Sequence, residues 1–225
     1  MRRKMAIEYI ENNVINELFE LLNINNIQYV LIKNILDELP NKLPNGKDID
    51  IIVNMHQKEK FTELMQNSGY HSHTHPLGKE NGWIFLYGLD EYQFWKLEKH
   101  DQAFFVDVSF KLSCKGLMPK TWIPLDNVIQ KRIWTNKIWD MEKKWWIMDI
   151  NTRFAYYLVR CIFDKKDFSK KYIQEIEKVK DKIDRDIVMD ILSVIFFRYS
   201  NKLMNLVDQK NYHLIIDDYI TFKEY

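Results

Sequence analysis

The sequence predicts an α+β fold in which a mixed or antiparallel sheet, flanked by helices, is followed by a C-terminal helical domain. Three observations lead to this prediction. Short β-prone runs bounded by turn residues are concentrated between residues 28 and 110. A stretch with apolar residues at helical spacing precedes them, and residues from Met148 onward are typical of helices. We therefore expect an α/β domain over residues 1–116 and a helical domain over residues 117–225.

The first part of the chain alternates between helices and strands. In chain order we predict a helix over residues 5–22, a strand over 28–32, a loop over 34–47, a strand over 48–53 and a helix over 56–67. The first helix follows from apolar residues at helical spacing, which include Ile10, Val14 and Leu18. Pro40 and Pro44 favour the loop, because proline interrupts regular structure.

Three further strands are predicted between residues 83 and 110. They cover residues 83–87, 92–97 and 104–110, each rich in aromatic and β-branched residues. Turn-forming residues at 88–90 and 99–101 separate them. Because consecutive strands joined by short turns usually pair with one another, we expect an antiparallel meander.

The second part of the chain is predicted to be helical. The pattern changes after Pro119 and Pro124, and a stripe of apolar residues at helical spacing runs from Ile173 to Ile191. A stripe of this kind needs an apolar surface to cover it, so we expect helices that pack against a partner.

The composition argues against several classes of protein. A net charge of +1, from 33 basic and 32 acidic residues, gives no broad basic surface for a long nucleic acid. No apolar run is long enough to span a membrane, and the basic first residues lead into no signal-peptide core. Cys114 and Cys161 are far apart and form no Cys-x-x-Cys pattern, so we expect neither a zinc ribbon nor a disulfide scaffold. This cysteine content fits a reducing compartment. We expect a cytoplasmic protein, and the oligomeric state is left open.

Two carboxylates stand two residues apart in the β-prone run 48–53. Side chains alternate along a strand, so Asp48 and Asp50 face one side, roughly 6.5 Å apart, while Ile49, Ile51 and Val53 face the core. Two like charges side by side are unfavourable unless a cation lies between them. The pair therefore predicts a site for a divalent metal ion with oxygen ligands.

A third carboxylate, Asp107, lies in a strand that otherwise has the composition of a buried one. Burying a lone carboxylate is costly, so Asp107 needs a partner. We expect Asp107 to share a face with Phe105 and Ser109 and to converge on the first two acids. A shared two-metal site requires the three carboxyl carbons to lie within about 4–7 Å of one another.

This arrangement of acids resembles the nucleotidyltransferase superfamily, the fold of DNA polymerase β and of the antibiotic nucleotidyltransferases. The resemblance covers roughly residues 5–110, and its most specific parts are residues 46–53 and the Asp107 strand. It implies a nucleotidyltransferase-type sheet and, in the tail, a helical domain like those of bacterial relatives. It also implies that Asp48 and Asp50 hold two Mg²⁺ ions, while Asp107 shares one metal and acts as, or assists, the general base.

The resemblance further implies contacts with a nucleoside triphosphate. The family usually carries Gly-Gly or Gly-Ser after the first strand, where this sequence has Leu-Ile-Lys-Asn at residues 31–34, and a serine where this sequence has Lys47. A stretch without glycine keeps the backbone farther from a phosphate. Lys33 can bind a phosphate as a point charge and Asn34 can donate a hydrogen bond. Lys33, Asn34 and Lys47 are therefore the candidate nucleotide-binding residues.

The function implied by the resemblance is transfer of a nucleoside monophosphate from the triphosphate to a hydroxyl of a small acceptor, such as a sugar or an antibiotic-like molecule. Two alternatives remain. A non-catalytic member would bind a nucleotide or a partner protein, for instance as an antitoxin, and the absent Gly-Ser favours it. A zinc hydrolase would use His71, His73 and His75, which alternate along one strand, although alternating polar strands are also common without a metal.

Overall fold

The computed structural model describes residues 8–74, 82–98 and 102–221. The strands, in chain order, are β1 (Tyr29–Leu31), β2 (Asp48–Val53), β3 (His71–Thr74), β4 (Ile84–Phe85), β5 (Glu91–Leu97), β6 (Ala103–Ser109), β7 (Ser113–Lys115), β8 (Thr121–Pro124), β9 (Ile138–Asp140) and β10 (Trp145–Ile147). The helices are α1 (Asn12–Ile24), α2 (Lys58–Asn67), α3 (Asn127–Thr135), α4 (Ile150–Val159), α5 (Lys170–Lys180), α6 (Arg185–Phe196), α7 (Tyr199–Asp208) and α8 (Tyr212–Thr221). None of the helices in these ranges combines the length and apolar character that a membrane span requires.

The chain divides into two compact units, each with its own sheet. The first unit comprises Met1–Trp83, Gly88–Lys111 and Ile138–Ile147, and the second comprises Ile84–Tyr87, Leu112–Lys137 and Met148–Tyr225. Helices accompany the sheet in both units, and the chain from Met148 to its last described residue is helical apart from short connections. The predicted α+β class, with a mixed sheet, flanking helices and a helical C-terminal region, is confirmed.

The sheet of the first unit has seven strands in the order β3-β5-β6-β2-β1-β10-β9. Two of its pairings, β2 with β6 and β1 with β10, are parallel, and the others are antiparallel. The parallel pairing of β2 with β6 decides the geometry of the acids, because it sets which residue of one strand lies beside which residue of the other. It fixes Ile49 beside Val106 and Ile51 beside Val108.

One face of this sheet is covered by the hydrophobic core. Ile49, Ile51 and Val106 point into it and are at most 1% exposed, together with Leu18 and Leu22 of α1. These positions alternate along their strands with polar or half-buried residues, as the period of a strand requires. The predicted orientation of β2 and β6, with branched apolar residues inward and acids outward, matches the burial pattern.

The first helix begins later than its apolar spacing suggested. The described part of the chain before Asn12 is extended, and Tyr9 forms an isolated antiparallel bridge with Pro44. The Ile10 backbone nitrogen also donates to the Leu43 carbonyl at 2.8 Å. Ile10 is therefore buried from an extended segment, where its spacing had indicated a helix.

The predicted three-strand meander is wrong in one strand. Strands β5 and β6 pair as expected, but β4 belongs to the second unit, where it pairs in parallel with β8. The three-stranded sheet there has the order β4-β8-β7. A run of apolar residues indicates a strand without indicating its partner, and here the partner lies more than thirty residues along the chain (Ile84 beside Thr121).

A hairpin that the sequence analysis did not predict completes the large sheet. Strands β9 and β10 pair with each other, and β10 adds in parallel to β1 with Leu31 beside Ile147. Trp145 is 1% exposed and its ring lies 4.6 Å from that of Phe19. Residues 138–147 thus pack within the first unit, although they follow residue 116. The domain boundary after residue 116 stays a prediction.

The apolar stripe from Ile173 to Ile191 is divided between two helices. A turn over residues 181–184 separates α5 from α6, and Asp184 caps α6 by accepting hydrogen bonds from the backbone nitrogens of Asp186 and Ile187. Val188, in place of Ile187, is among the buried residues of α6. Because α6 has a new helix axis, different positions face inward there. The apolar spacing of α5 therefore does not predict which residues of α6 are buried.

A second cap anchors α4 in the same unit. The Asp149 side chain is buried and accepts hydrogen bonds from the backbone nitrogens of Asn151 and Thr152 at 3.1 and 3.2 Å. The Arg132 guanidinium lies 3.3 Å away and also donates to the Thr152 hydroxyl. One carboxylate thus caps the helix start and pairs with a half-buried guanidinium.

We predict that Asp149→Ala lowers the free energy of unfolding by about 2–3 kcal/mol, because it removes a helix cap and leaves Arg132 without its carboxylate. Asp126→Ala is the matched control, since Asp126 caps α3 from an exposed position through Val128 alone. The control is expected to lose about 1 kcal/mol or less. Urea denaturation followed by circular dichroism measures both, and equal losses would show that the buried network adds nothing to the cap.

Candidate functional site

The three acids lie on the face of the large sheet opposite its core. The parallel register of β2 and β6 sets Asp50 directly beside Asp107 and Asp48 beside Phe105. Because neighbouring strands are about 4.8 Å apart, side chains in register can meet. The fold therefore brings together two segments of the chain that are far apart in sequence.

The carboxylates of Asp48, Asp50 and Asp107 converge. Each offers one oxygen, and these oxygens all lie within 4.8 Å of one another. The side chains are half-buried, with 33% of Asp48 and 13% of Asp50 exposed. The cluster is thus accessible from solvent and only partly screened by it, so the mutual repulsion of its charges is strong.

Lys33 lies against two of these acids. Its ammonium forms a short hydrogen-bonded ion pair with the Asp50 carboxylate and lies 3.8 Å from an Asp48 oxygen. Lys33 follows the end of β1, whose last residue is the antiparallel neighbour of Ile51. The Lys33 ammonium thus offsets part of the negative charge of the acids. Lys33 was predicted to bind a nucleotide phosphate, and in the structure its ammonium contacts Asp50 and Asp48.

The charge cluster changes the acidity of Asp48. Partial burial raises the pKa of Asp48 above its usual value, and the neighbouring charges of Asp50 and Asp107 raise it further. The Lys33 ammonium opposes this shift by favouring the charged form. Holding Asp48 ionised in the folded protein therefore costs free energy at neutral pH.

Gln93 is a residue of this site that sequence analysis missed. It lies on β5 directly beside Asp107, and its side-chain nitrogen donates to Asp107 Oδ1 at 2.8 Å. Its position was within reach of the sequence, since a β5–β6 hairpin was expected and Gln93 is the polar residue between Tyr92 and Phe94. The hydrogen bond fixes the orientation of the Asp107 carboxylate.

The other two predicted nucleotide-binding residues, Asn34 and Lys47, both precede the first acid in the sequence. The Asn34 side-chain oxygen accepts a hydrogen bond from the Leu39 backbone nitrogen at 2.9 Å. Lys47 is exposed, and its backbone nitrogen donates to the Pro44 carbonyl at 3.0 Å. Neither contact tests whether a nucleotide binds here, and both roles stay predictions.

The donor set fits magnesium. Mg²⁺ prefers hard oxygen ligands, usually one or two carboxylates together with water and substrate phosphates. Three carboxylates whose oxygens lie within 4.8 Å of one another meet this requirement and supply no nitrogen or sulfur ligand. The arrangement is therefore suited to hold a hard divalent cation between two strands.

Of the three histidines considered as zinc ligands, the structure describes only one side chain. His71 lies on β3 with its ring 4.6 Å from that of Trp95. His73 lies on the same strand, but its side chain is not among those described, and His75 lies outside the described residues. The zinc site of these histidines therefore stays a prediction.

The chain matches no family model and no curated protein. It is similar to solved structures, among them the solution structure of the antibiotic-resistance factor ANT(2'')-Ia, at 10% identity and a TM-score of 0.49 over 87% of this chain and 98% of that one. It is also similar to the lincosamide antibiotic adenylyltransferase LnuA bound to lincomycin, at 10% identity and a TM-score of 0.45, over 78% of this chain and 100% of that one.

A third similar structure is an antigenic nucleotidyltransferase-like protein from Paracoccidioides brasiliensis, at 11% identity and a TM-score of 0.47, over 89% of this chain and 92% of that one. These three structures are thus an antibiotic-resistance factor, an antibiotic adenylyltransferase and a nucleotidyltransferase-like protein. At these identities and TM-scores the likeness carries no argument about activity, which has to come from the residues of the site.

Proposed function

We propose that this protein is a metal-dependent nucleotidyltransferase that moves a nucleoside monophosphate from a nucleoside triphosphate to a hydroxyl of a small acceptor. The observation that carries the proposal is the convergence of Asp48, Asp50 and Asp107 on one open face of two parallel strands. Three carboxylates on one face repel one another, and phosphate chemistry uses such oxygen ligands to hold divalent metal ions.

Each acid has a role in this proposal. Asp48 and Asp50 hold Mg²⁺, and Asp107 holds it from the neighbouring strand. When bound, two Mg²⁺ ions supply positive charge against the attacking and leaving oxygens of an in-line displacement. The Asp107 carboxylate is also the general base that accepts the proton of the acceptor hydroxyl. The hydrogen bond from Gln93 Nε2 holds this carboxylate in a fixed orientation for that transfer.

Lys33 belongs to the donor side of the site. Its ammonium is already oriented toward Asp50 and Asp48, so it stands where the phosphates of a bound triphosphate would meet the acids. A lysine there acts as a mobile point charge that can exchange a carboxylate for a phosphate oxygen. This assignment keeps the phosphate-binding role predicted for Lys33 and adds that it stabilises the acids beforehand.

The contact of Lys33 with the acids also favours a second candidate function. An internal ammonium that balances Asp50 and Asp48 is compatible with a non-catalytic member that binds a nucleotide or a partner protein. The two candidates differ in what they require of the acids. Catalysis requires all three carboxylates and a divalent ion, whereas binding of a partner requires neither turnover nor metal.

We predict that Asp50→Asn and Asp107→Asn each lower Mg²⁺-dependent turnover by more than about 100-fold, because an amide is isosteric but lacks the charge that holds the metal. Pyrophosphate release from each of the four nucleoside triphosphates, measured over a panel of sugar and antibiotic-like acceptors, is the assay. Asp90→Asn is the matched control, since Asp90 is exposed in the same unit and forms an ion pair with Lys58.

The control is expected to keep full activity. Pyrophosphate release by the wild type that does not depend on Mg²⁺, or full activity of Asp50→Asn, would contradict the assignment of the acids. A wild type that binds a nucleoside triphosphate without releasing pyrophosphate over the whole panel would support the non-catalytic candidate.

We predict opposite effects of two isosteric changes on the stability of the metal-free protein at pH 7. A carboxyl with a raised folded-state pKa stabilises the fold below its unfolded pKa, and that stability is lost as the pH rises through the folded pKa. Asp48→Asn should therefore raise the melting temperature by roughly 1–3 °C. Asp50→Asn should lower it by roughly 2–6 °C, because it breaks the ion pair with Lys33 at a side chain that is 13% exposed.

Differential scanning calorimetry in a chelating buffer measures both changes. The gain of Asp48→Asn should disappear when the comparison is repeated near pH 3, where Asp48 of the wild type is protonated as well. A loss of stability in Asp48→Asn at pH 7 would show that the Asp48 charge is stabilised by its surroundings, contrary to this account.

A further inference from the structure

The face of the sheet that carries the acids also carries a row of aromatic side chains. The register sets His71 beside Trp95, Trp95 beside Phe105 and Phe105 beside Asp48. These four residues form one line across β3, β5, β6 and β2. With strands about 4.8 Å apart, the Cα of Phe105 is one strand from that of Asp48 and the Cα of Trp95 is two strands away.

The aromatic row is available to a ligand. Trp95 and Phe105 are half-buried, His71 is exposed, and none of the three belongs to the hydrophobic core of the unit as far as the structure describes it. Leu97 continues the same face of β5 and is 60% exposed. Apolar surface that remains open beside a charged cluster is unusual for a face whose only role is structural.

The charges divide this face into two sides. On the β1 side of the acids, Lys33 supplies a cation for phosphates. On the other side, across β6, β5 and β3, the row next to Asp48 consists of Phe105, Trp95 and His71, with no lysine or arginine among them. A triphosphate is drawn to the first side by its charge, which leaves the aromatic side to the part of a substrate that has an apolar face.

We propose that Trp95 and Phe105 form the acceptor subsite, and that the acceptor ring which carries the reacting hydroxyl stacks on them. This inference rests on the proposed function and adds the class of acceptor. Phe105 and Asp107 are two residues apart on one strand, about 6.5 Å. That span fits a six-membered ring with a hydroxyl on it, which places the hydroxyl over Asp107 while the ring lies on Phe105 and Trp95.

The acceptor chemistry is therefore a ring alcohol with one apolar ring face. Sugar rings present such a face through their axial C–H groups, and aromatic rings present it through their π-systems. An acyclic alcohol has the hydroxyl and lacks the face. Trp95 is the larger platform of the two, so it is the residue that we assign as determining the preference for rings.

The first test measures ring binding without metal or nucleotide. Saturation-transfer-difference NMR is recorded with methyl β-glucopyranoside, phenyl β-glucopyranoside and the acyclic polyol sorbitol as probes. The wild type is expected to give signals from the two ring probes and none from sorbitol, with the strongest signals from the sugar C–H face or from the phenyl ring, which distinguishes the two sources of the stacking face.

Trp95→Ala should remove these signals, and Trp95→Phe should retain them because it keeps a ring. Trp139→Ala is the matched control: Trp139 is a half-buried tryptophan of β9 in the same unit, and it should behave as the wild type. Ring signals that survive in Trp95→Ala, or equal signals from sorbitol, would overturn the proposal, as would a wild type that gives no ring signal.

The second test uses turnover with any acceptor found in the pyrophosphate assay. Trp95→Ala is expected to raise the KM for the acceptor about 10-fold, since a lost stacking contact of this kind typically has an effect of that order. The KM for the nucleoside triphosphate should change less than about twofold, and Trp95→Phe should restore most of the acceptor KM. An equal rise of both KM values would show a structural effect and contradict the subsite.

The two tests separate this inference from the proposed function. A wild type that binds ring probes at Trp95 but releases no pyrophosphate would refute the transferase and keep the ring subsite. If turnover depends on the three acids but the acceptor KM is unchanged in Trp95→Ala, the transferase proposal is supported and the subsite is refuted.

Discussion

The repulsion among three carboxylates on one sheet face is the constraint on which the account of this protein depends. Asp48, Asp50 and Asp107 are held within reach of one another by the register of two parallel strands. Partial burial raises the pKa of Asp48, and the neighbouring charges of Asp50 and Asp107 raise it further. A fold that keeps such a cluster does so at a cost in stability, which is common at functional sites.

The rest of the first unit provides the rigid support that this cluster needs. Each of the strands that carry acids has branched apolar or aromatic residues on its other face, and those residues are almost fully buried in the core that they share with α1 and α2. Because the side chains of a strand alternate, fixing the core face fixes the acid face as well. A slip of one residue between β2 and β6 would move Asp107 away from Asp50 and would also expose valines and isoleucines to water. The hydrophobic core thus determines the register of the site.

The acids themselves could be found in the sequence, and their surroundings could be found only in part. The alternation of Asp48 and Asp50 with isoleucines is a local pattern, and it predicted both the strand and the face correctly. The convergence with Asp107 was predicted from a family resemblance and from the cost of a lone buried carboxylate. Neither strand has a local sequence pattern that predicts the parallel pairing of β2 with β6. Gln93 was overlooked because its importance comes from its cross-strand neighbour.

The wrong and missing strand assignments also arise from contacts between distant parts of the sequence. Strand β4 was assigned to the meander and the hairpin of β9 with β10 was not predicted, because short apolar runs reveal a strand and leave its partner open. Leu31 pairs with Ile147 across more than a hundred residues, a distance over which no local pattern carries information. Lys33 shows the same limit for a side chain. Its long, flexible stem can reach either a phosphate or a carboxylate, and only the folded geometry shows that its ammonium lies on Asp50 and Asp48.

The central claim is that Asp48, Asp50 and Asp107 form a site for a divalent cation, and that the Lys33 ammonium competes with this cation for the carboxylates. Titration with Mn²⁺, followed by electron paramagnetic resonance of the free ion, tests this claim most directly. The account predicts saturable binding by the wild type and tighter binding by Lys33→Met, which removes the competing cation. It predicts no site of comparable affinity in the double variant Asp48→Asn/Asp107→Asn. Equal Mn²⁺ binding by the wild type and the double variant would contradict it.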